Sequence, residues 1–311
     1  MEQTLNNLFI SGVLVKKDFD TRTVDVKDEK GNVTGTDQAI SGKLVLRTND
    51  GSEHEVNYFS RRTKKDGSPN KNFDSLNTVN TEYKSLEQFP NEPDTVKIGL
   101  GQFTVNDYRG QDGEVKTYNQ FRATFANRLS GKDLETTPLE ATFEIEGVID
   151  SIKEEVYRND PTGNYRITVN LIGYKDEIVP VTVVVLKEMA EAFISAGFYE
   201  GGYAKFTGKL VNTKETVEIV EKMAFGQDNI KVVDKTVSRY EVTGGNPLGS
   251  PMEHNIDESA YEQAKSKRKL KLNEIKNAES KPKQQSSNSN PFGGGTTSAP
   301  TNNPFANPFA K

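Results

Sequence analysis

Two glycine-interrupted strands, each followed by a hairpin, a helical stretch and a second hairpin, constrain this chain more than any other feature of it. Near the start, Leu8 to Val15 is an apolar-rich strand broken by Ser11-Gly12. Ile40, Gly42, Leu44 and Leu46 then alternate with Ser41, Lys43, Val45 and Arg47, the period of two that marks a strand with one buried face. Asp50-Gly51 is a hairpin turn, and Glu53 to Ser60 is the returning strand. A basic, turn-rich stretch fills 61–72. A short helix is expected over Thr81 to Phe89, stopped by Pro90 and Pro93. Thr95 to Tyr108 and Val115 to Asn127 make a second hairpin across 109–113.

The same order returns further on. Ala141 to Lys153 is a long strand with Gly147 at its centre, and Tyr165 to Ile172 pairs with Ile178 to Val185 across 173–176. Leu186, Met189, Ala190 and Phe193 have helical spacing, and a last hairpin is expected from Tyr203 to Val211 and Glu215 to Phe225. Ile230 to Val242 is a candidate additional strand. Five strands with a helix between the third and fourth is the OB-fold arrangement. A glycine in the first strand lets it bend and pair on both sides, as a small barrel requires. The expected fold is therefore all-β with short helices: two five-stranded OB-fold β-barrels in tandem, over 1–130 and 139–243, with a linker at 131–138. A pair of generic β-sandwiches is the competing architecture.

Residues 244–256 read as a second linker and 257–279 as an exposed helical arm, crowded with Lys265, Lys267, Arg268, Lys269 and Lys271. From 280 to 311 the chain is rich in Ser, Asn, Gln, Gly, Thr and Pro, a composition that buries too little surface to offset ordering entropy and so gives a disordered tail. Asn-Pro-Phe occurs there three times, which makes Phe292, Phe305 and Phe309 candidate partner-docking points.

Composition argues against most chemistry. The chain has no cysteine and two histidines, His54 and His254, each isolated from any other plausible ligand set. His54, in Glu53-His54-Glu55-Val56, reads as a solvated strand residue. No Gly-rich phosphate loop follows a strand and no carboxylate pair stands out, so no enzyme, metal or cofactor is expected. No apolar run approaches the ~20 residues of a bilayer span, and the N-terminal segment lacks signal-peptide features. A soluble, cytoplasmic protein without membrane contact is expected. The net charge of −5 opposes nucleic-acid binding only if acids and bases are mixed evenly, so their distribution decides.

The first domain resembles the single-stranded DNA-binding proteins of bacteria and their phages. The similar residues are Asn6-Asn7-Leu8-Phe9-Ile10-Ser11-Gly12-Val13-Leu14, Val96 to Gly101, and Gly113-Glu114-Val115-Lys116-Thr117-Tyr118. The resemblance implies OB folds that coat exposed single strands during DNA replication, recombination and repair. It also implies a tail that recruits replication or recombination proteins. Two features depart from the family pattern. A second barrel is uncommon in its simplest members, and here no Asp or Glu follows Glu279 while Ala310-Lys311 follows the last Phe. A phage- or plasmid-encoded version fits these departures, acting in the host cytoplasm.

Non-specific binding of a single strand needs cations along the phosphates and flat rings under the bases. Strand parity sets Lys43 and Arg47 opposite Leu44 and Leu46, Phe59 and Arg61 opposite Val56 and Tyr58, and Lys116, Tyr118 and Arg122 opposite Phe121. The loop adds Arg62, Lys64, Lys65, Lys71 and Phe73, and the last turn adds Tyr108 and Arg109. Together these form a basic, aromatic face with few acids. On the second barrel Tyr203, Lys205 and Lys209, extended by Arg158, Arg166 and Lys175, form an auxiliary face diluted by acids. The partner expected is single-stranded DNA, with RNA an alternative; a virion assembly protein using its barrels as interaction modules is the competing function. Oligomeric state is not encoded in any of these patterns.

Overall fold

The computed structural model describes residues 1–277 apart from 29, 158–159, 222–224 and 226–228; over 214–221 and 229–235 it describes the backbone alone. Arg158 and the expected disordered tail, with Phe292, Phe305 and Phe309, lie outside the described residues. Strands β1 (Asn6–Lys27), β2 (Val33–Arg47) and β3 (Glu53–Arg61) form an antiparallel meander, followed by α1 (Lys71–Glu82). Then β4 (Thr95–Gly99) and β5 (Gln102–Arg109) form one broken strand, which returns as β6 (Val115–Arg122) and β7 (Phe125–Arg128). The sheet closes because β1 pairs antiparallel with β4 while β3 pairs parallel with β6. This is the OB order, with its helix between the third and fourth strands.

After α2 (Gly131–Thr136) the same closure repeats. The elements are β8 (Ala141–Tyr157), β9 (Asp160–Ile172), β10 (Ile178–Val185), α3 (Lys187–Ser195), β11 (Tyr203–Glu221) and β12 (Asn229–Gly249). Here β8 pairs with both β9 and β11, and β10 runs parallel to β12. The glycines of the two first strands have one cause in common. A Cβ on Gly12 would lie 2.5 Å from the Arg47 carbonyl oxygen, and one on Gly147 2.5 Å from the Asn170 carbonyl oxygen. Any side chain there would push the neighbouring strand away.

The barrels share one core. Their first strands pair antiparallel from Asn6 opposite Ile145 to Ile10 opposite Ala141. Behind this junction Phe103 and Phe121 of the first barrel meet Phe143 and Tyr240 of the second, with ring centroids 5.0–6.5 Å apart. Phe103 and Phe143 are fully enclosed, each contributing about 2–3 kcal/mol of apolar burial.

Several expectations shift. The first helix is α1, earlier than Thr81 to Phe89, because Asn70 caps it by accepting from the Asn72 amide and because Leu76 and Val79 bury one face. Strand β11 runs straight through the turn expected at 212–214, where no Gly or Pro interrupts pairing. The closing strand is β12 rather than 215–225; it takes in the candidate strand at Ile230 to Val242 and also 244–249, expected as linker.

The Lys-rich segment is a helix, α4 (Glu258–Asn277), but not a solvated arm. Tyr261, Ala264 and Arg268 lie on one stripe of helical spacing, and the first two are buried. The Tyr261 hydroxyl accepts a hydrogen bond from Asn170 Nδ2 at 2.9 Å, on the second barrel. Arg268 grips both carboxylate oxygens of Asp107 on the first, at 2.9 and 3.2 Å. The helix therefore straps the two barrels together.

Candidate nucleic-acid interface

Alternation along adjacent strands gives the first barrel a continuous outward face over β2, β3, β6 and β5. Leu44, Leu46, Val56, Tyr58 and Phe103 turn inward and are buried. Lys43 and Arg47 on β2 turn outward, as do Phe59 and Arg61 on β3. The parallel register places Asn57 beside Arg122, which carries the face onto β6. Antiparallel pairing of Asn106 with Tyr118 and of Tyr108 with Lys116 carries it onto β5.

Three rings stand on this face. Phe59 is 40% exposed, Tyr108 44% and Tyr118 45%, so each offers a flat surface to solvent. Tyr108 and Tyr118 meet edge to face at 5.8 Å. The Tyr118 hydroxyl accepts from Asn106 Nδ2 at 2.7 Å and Gln120 Nε2 at 2.9 Å, which fixes the ring upright. Phe73 does not belong with them. It sits in the first turn of α1, half-buried against the core, because the helix starts earlier than its sequence position suggests.

The cations fall into two groups. Lys43 binds Glu55 at 2.8 Å, Arg47 binds Glu53 at 2.6 Å and Lys116 binds Asp112 at 3.0 Å. The hydrogen bond that Lys43 donates to Glu55 raises the Lys43 pKa, as the one Lys116 donates to Asp112 raises the Lys116 pKa. The face is thus less acid-poor than the alternation implies, because the hairpin register brings Glu53 and Glu55 alongside β2. In contrast, Arg61, Arg62, Lys64, Lys65, Lys71 and Arg122 make no ion pair among the described residues. Arg61 donates to the Asp25 carbonyl and Arg62 to the Gln38 amide oxygen, which tie the basic loop to the β1–β2 hairpin. Arg109 Nε donates to the Gly113 carbonyl across the β5–β6 turn.

The second barrel presents far less. Tyr203 is only 4% exposed and stacks on His254 at 4.2 Å, so it is not a surface ring. Its β11 register shift at Ala204 breaks the alternation that places it outside. Lys205 is paired with Glu144 and Glu146, and Arg166 with Glu155. Lys175 lies over the Tyr174 ring, and Lys209 is exposed. The outward side of β9 and β10 is partly covered: Asn170 lies beneath Tyr261, and Asn119 Nδ2 donates to the Pro180 carbonyl at 2.8 Å.

In sequence, the model of the family described as YorF matches residues 5–278, through both barrels and the helical strap. The chain belongs to the YorF family. No curated protein matches it. Among solved structures, it is similar to a deletion mutant of the single-stranded DNA binding protein from Thermus aquaticus. Identity there is 16%, over 79% of this chain and 96% of that one, with a TM-score of 0.43. A replication protein A heterotrimer bound to single-stranded DNA also aligns, at 14% identity and a TM-score of 0.21. That alignment covers 89% of this chain and 54% of the other.

This YorF-family chain also carries site features that the sequence pattern leaves unmarked. Strands β3 and β6 pair only at Val56–Phe121 and Asn57–Arg122. Where they part, a cleft of about 210 Å³ opens toward Asn212 and Tyr240 of the second barrel. His54 lines it, 1% exposed, with neither ring nitrogen hydrogen-bonded among the described residues. Burial lowers its pKa to about 4, so the ring is neutral. The expectation of a solvated His54 fails because its parity is that of Val56, facing inward. Parity alone contains that signal, as it does for Asn57 and Asn106.

Proposed function

We propose that this chain is a non-enzymatic single-stranded DNA-binding protein, with the first barrel as its principal surface. The observation that carries the reading is the outward face on which Phe59, Tyr108 and Tyr118 share the β3–β6–β5 surface with Arg61 and Arg122. Stacked bases gain about 1–3 kcal/mol per ring, whatever their identity. The basic loop with Arg62, Lys64, Lys65 and Lys71 extends the phosphate track beyond the sheet. The second barrel acts chiefly as a brace, with Lys209 at its exposed margin. The role of the whole protein is to protect exposed strands during DNA replication, recombination or repair, in a phage-encoded setting within the host cytoplasm. Phe292, Phe305 and Phe309 serve as docking points for replication or recombination proteins.

Fluorescence anisotropy of a labelled dT oligomer titrated with the full chain tests this. Saturable binding is expected. Arg61, Arg62, Lys64, Lys65, Lys71 and Arg122, each neutralising one phosphate at ~0.7, give a slope of log affinity against log salt of about −4.2. Competition with an rU oligomer of equal length measures the preference for DNA over RNA. Absence of a saturable, salt-sensitive response would refute the proposal and favour an assembly role.

A further inference from the structure

The hairpin of β5 and β6 carries two of the three exposed rings, yet its outer half has little sheet around it. Strand β6 pairs with β3 only at Phe121 and Arg122. Past Asn119, whose Nδ2 donates to the Pro180 carbonyl, no third strand pairs with the hairpin among the described residues. A two-stranded ribbon on its own is marginally stable in water. Tyr108 and Tyr118 therefore stand on a segment that needs support from outside the sheet.

The register gives this ribbon two faces. Asn106 pairs with Tyr118 and Tyr108 with Lys116, while Asp107 pairs with Thr117 between them. Opposed residues of an antiparallel pair point the same way and successive pairs alternate, so Asp107 and Thr117 lie on the side away from the rings. Helix α4 occupies that side. Arg268 donates to Asp107 Oδ1 at 2.9 Å and Oδ2 at 3.2 Å, and the Thr117 hydroxyl donates to Oδ1 at 2.7 Å. The Asp107 side chain is 1% exposed and that of Arg268 13%, so the two-pronged pair sits in a desolvated site that fixes its geometry. Lys271 lies 3.8 Å from Asp107 and 3.8 Å from Glu177 of the second barrel, and Lys276 reaches Glu114 in the hairpin turn at 3.0 Å. The helix is itself seated on the second barrel, where Tyr261 and Ala264 pack with Val148, Ile172 and Ile178.

From this arrangement we infer that α4 is a splint for the stacking hairpin, and that Arg268 is a positioning residue for strand binding with no contact to base or phosphate. The inference rests on the single-strand-binding reading above. Arg268 holds the underside of the ribbon, so Tyr108 and Tyr118 are in place before a strand arrives and binding does not have to order them. Through the helix, the second barrel contributes to affinity without presenting rings of its own.

The test titrates a labelled dT oligomer with full-length Arg268→Ala and Arg268→Lys at three salt concentrations, at a temperature where circular dichroism shows the chains folded. Two side chains that binding must now order should raise the Arg268→Ala dissociation constant at least ~5-fold. Arg268→Lys should fall between it and wild type, and it carries the comparison if the alanine variant does not fold. The salt slope should not change, whereas loss of a phosphate contact would lower it by about 0.7. In a Tyr108→Ala/Tyr118→Ala background, adding Arg268→Ala should change affinity by less than about 2-fold, because the rings it positions are gone. Wild-type affinity in the folded variants, a reduced slope, or an equal loss with and without the rings each overturns the positioning role. Amide exchange of the free chain separates this inference from strand binding. Residues 106–118 should exchange faster in Arg268→Ala than in wild type, and unchanged exchange overturns the splint. Absence of dT binding by the wild-type chain overturns strand binding and the positioning role with it, leaving the splint to the exchange data.

Discussion

Replacing Tyr118 by alanine isolates the stacking contribution from the rest of the surface. The ring is 45% exposed, and its only polar bonds among the described residues are those its hydroxyl accepts from Asn106 and Gln120. No core contact is lost, so the fold should lose no more than about 1 kcal/mol. Binding should suffer more. A base stacked on one aromatic gains about 1–3 kcal/mol, so dissociation constants for a dT oligomer should rise between about 5- and 150-fold. Tyr118→Phe keeps the ring and should stay within about 2-fold of wild type. Because stacking involves no counterions, the salt slope should not change in either variant. Anisotropy titrations at three salt concentrations deliver both quantities. If Tyr118→Ala bound dT as tightly as the wild-type chain, the surface assigned to the bases would be wrong.

Arg122→Ala should weaken every oligomer alike and reduce the salt slope by about 0.7, measured in the same titrations. Arg268→Ala leaves the Asp107 carboxylate, 1% exposed, with the Thr117 hydroxyl at 2.7 Å and Lys271 at 3.8 Å but without its bidentate cation. A loss of about 2–3 kcal/mol in urea denaturation is expected, with faster amide exchange along α4. His54 titrates near 6.5 when unfolded but at about 4 when folded. Its neutral burial therefore favours the fold fully above pH 6.5, and that contribution is lost as pH falls toward 4, by about 3 kcal/mol in all. Urea midpoints of His54→Leu against wild type should show the difference shrinking or reversing in the variant's favour between pH 7 and pH 4.5.

Much of this was legible from local pattern. Period-two alternation orients Lys43, Arg47, Phe59, Tyr118 and Arg122 correctly, because a strand's two faces follow from counting residues. Gly12 and Gly147 mark the bent first strands because close strand crossings exclude Cβ. What escaped depends on partners far along the chain. The pairing of Arg47 with Glu53 and of Lys43 with Glu55 appears only once the hairpin register is known. Phe73 changes role because Asn70 starts a helix just before it, a cap signal weaker than the two prolines downstream. Strand β11 outlasts its expected end since Asn212-Thr213-Lys214 lacks turn chemistry. The docking of α4 rests on Tyr261–Asn170 and Arg268–Asp107, separated by 91 and 161 residues, which no periodicity encodes.

Photocrosslinking tests the location of the bound strand most directly. A dT oligomer carrying 5-iodouracil is irradiated with the full chain, and the adducts are mapped by mass spectrometry. Adducts are expected at Tyr118, Tyr108 and Phe59, lost when excess unlabelled dT is added. Specific adducts confined to β9 and β10, with none on β3, β5 or β6, would contradict a first-barrel interface.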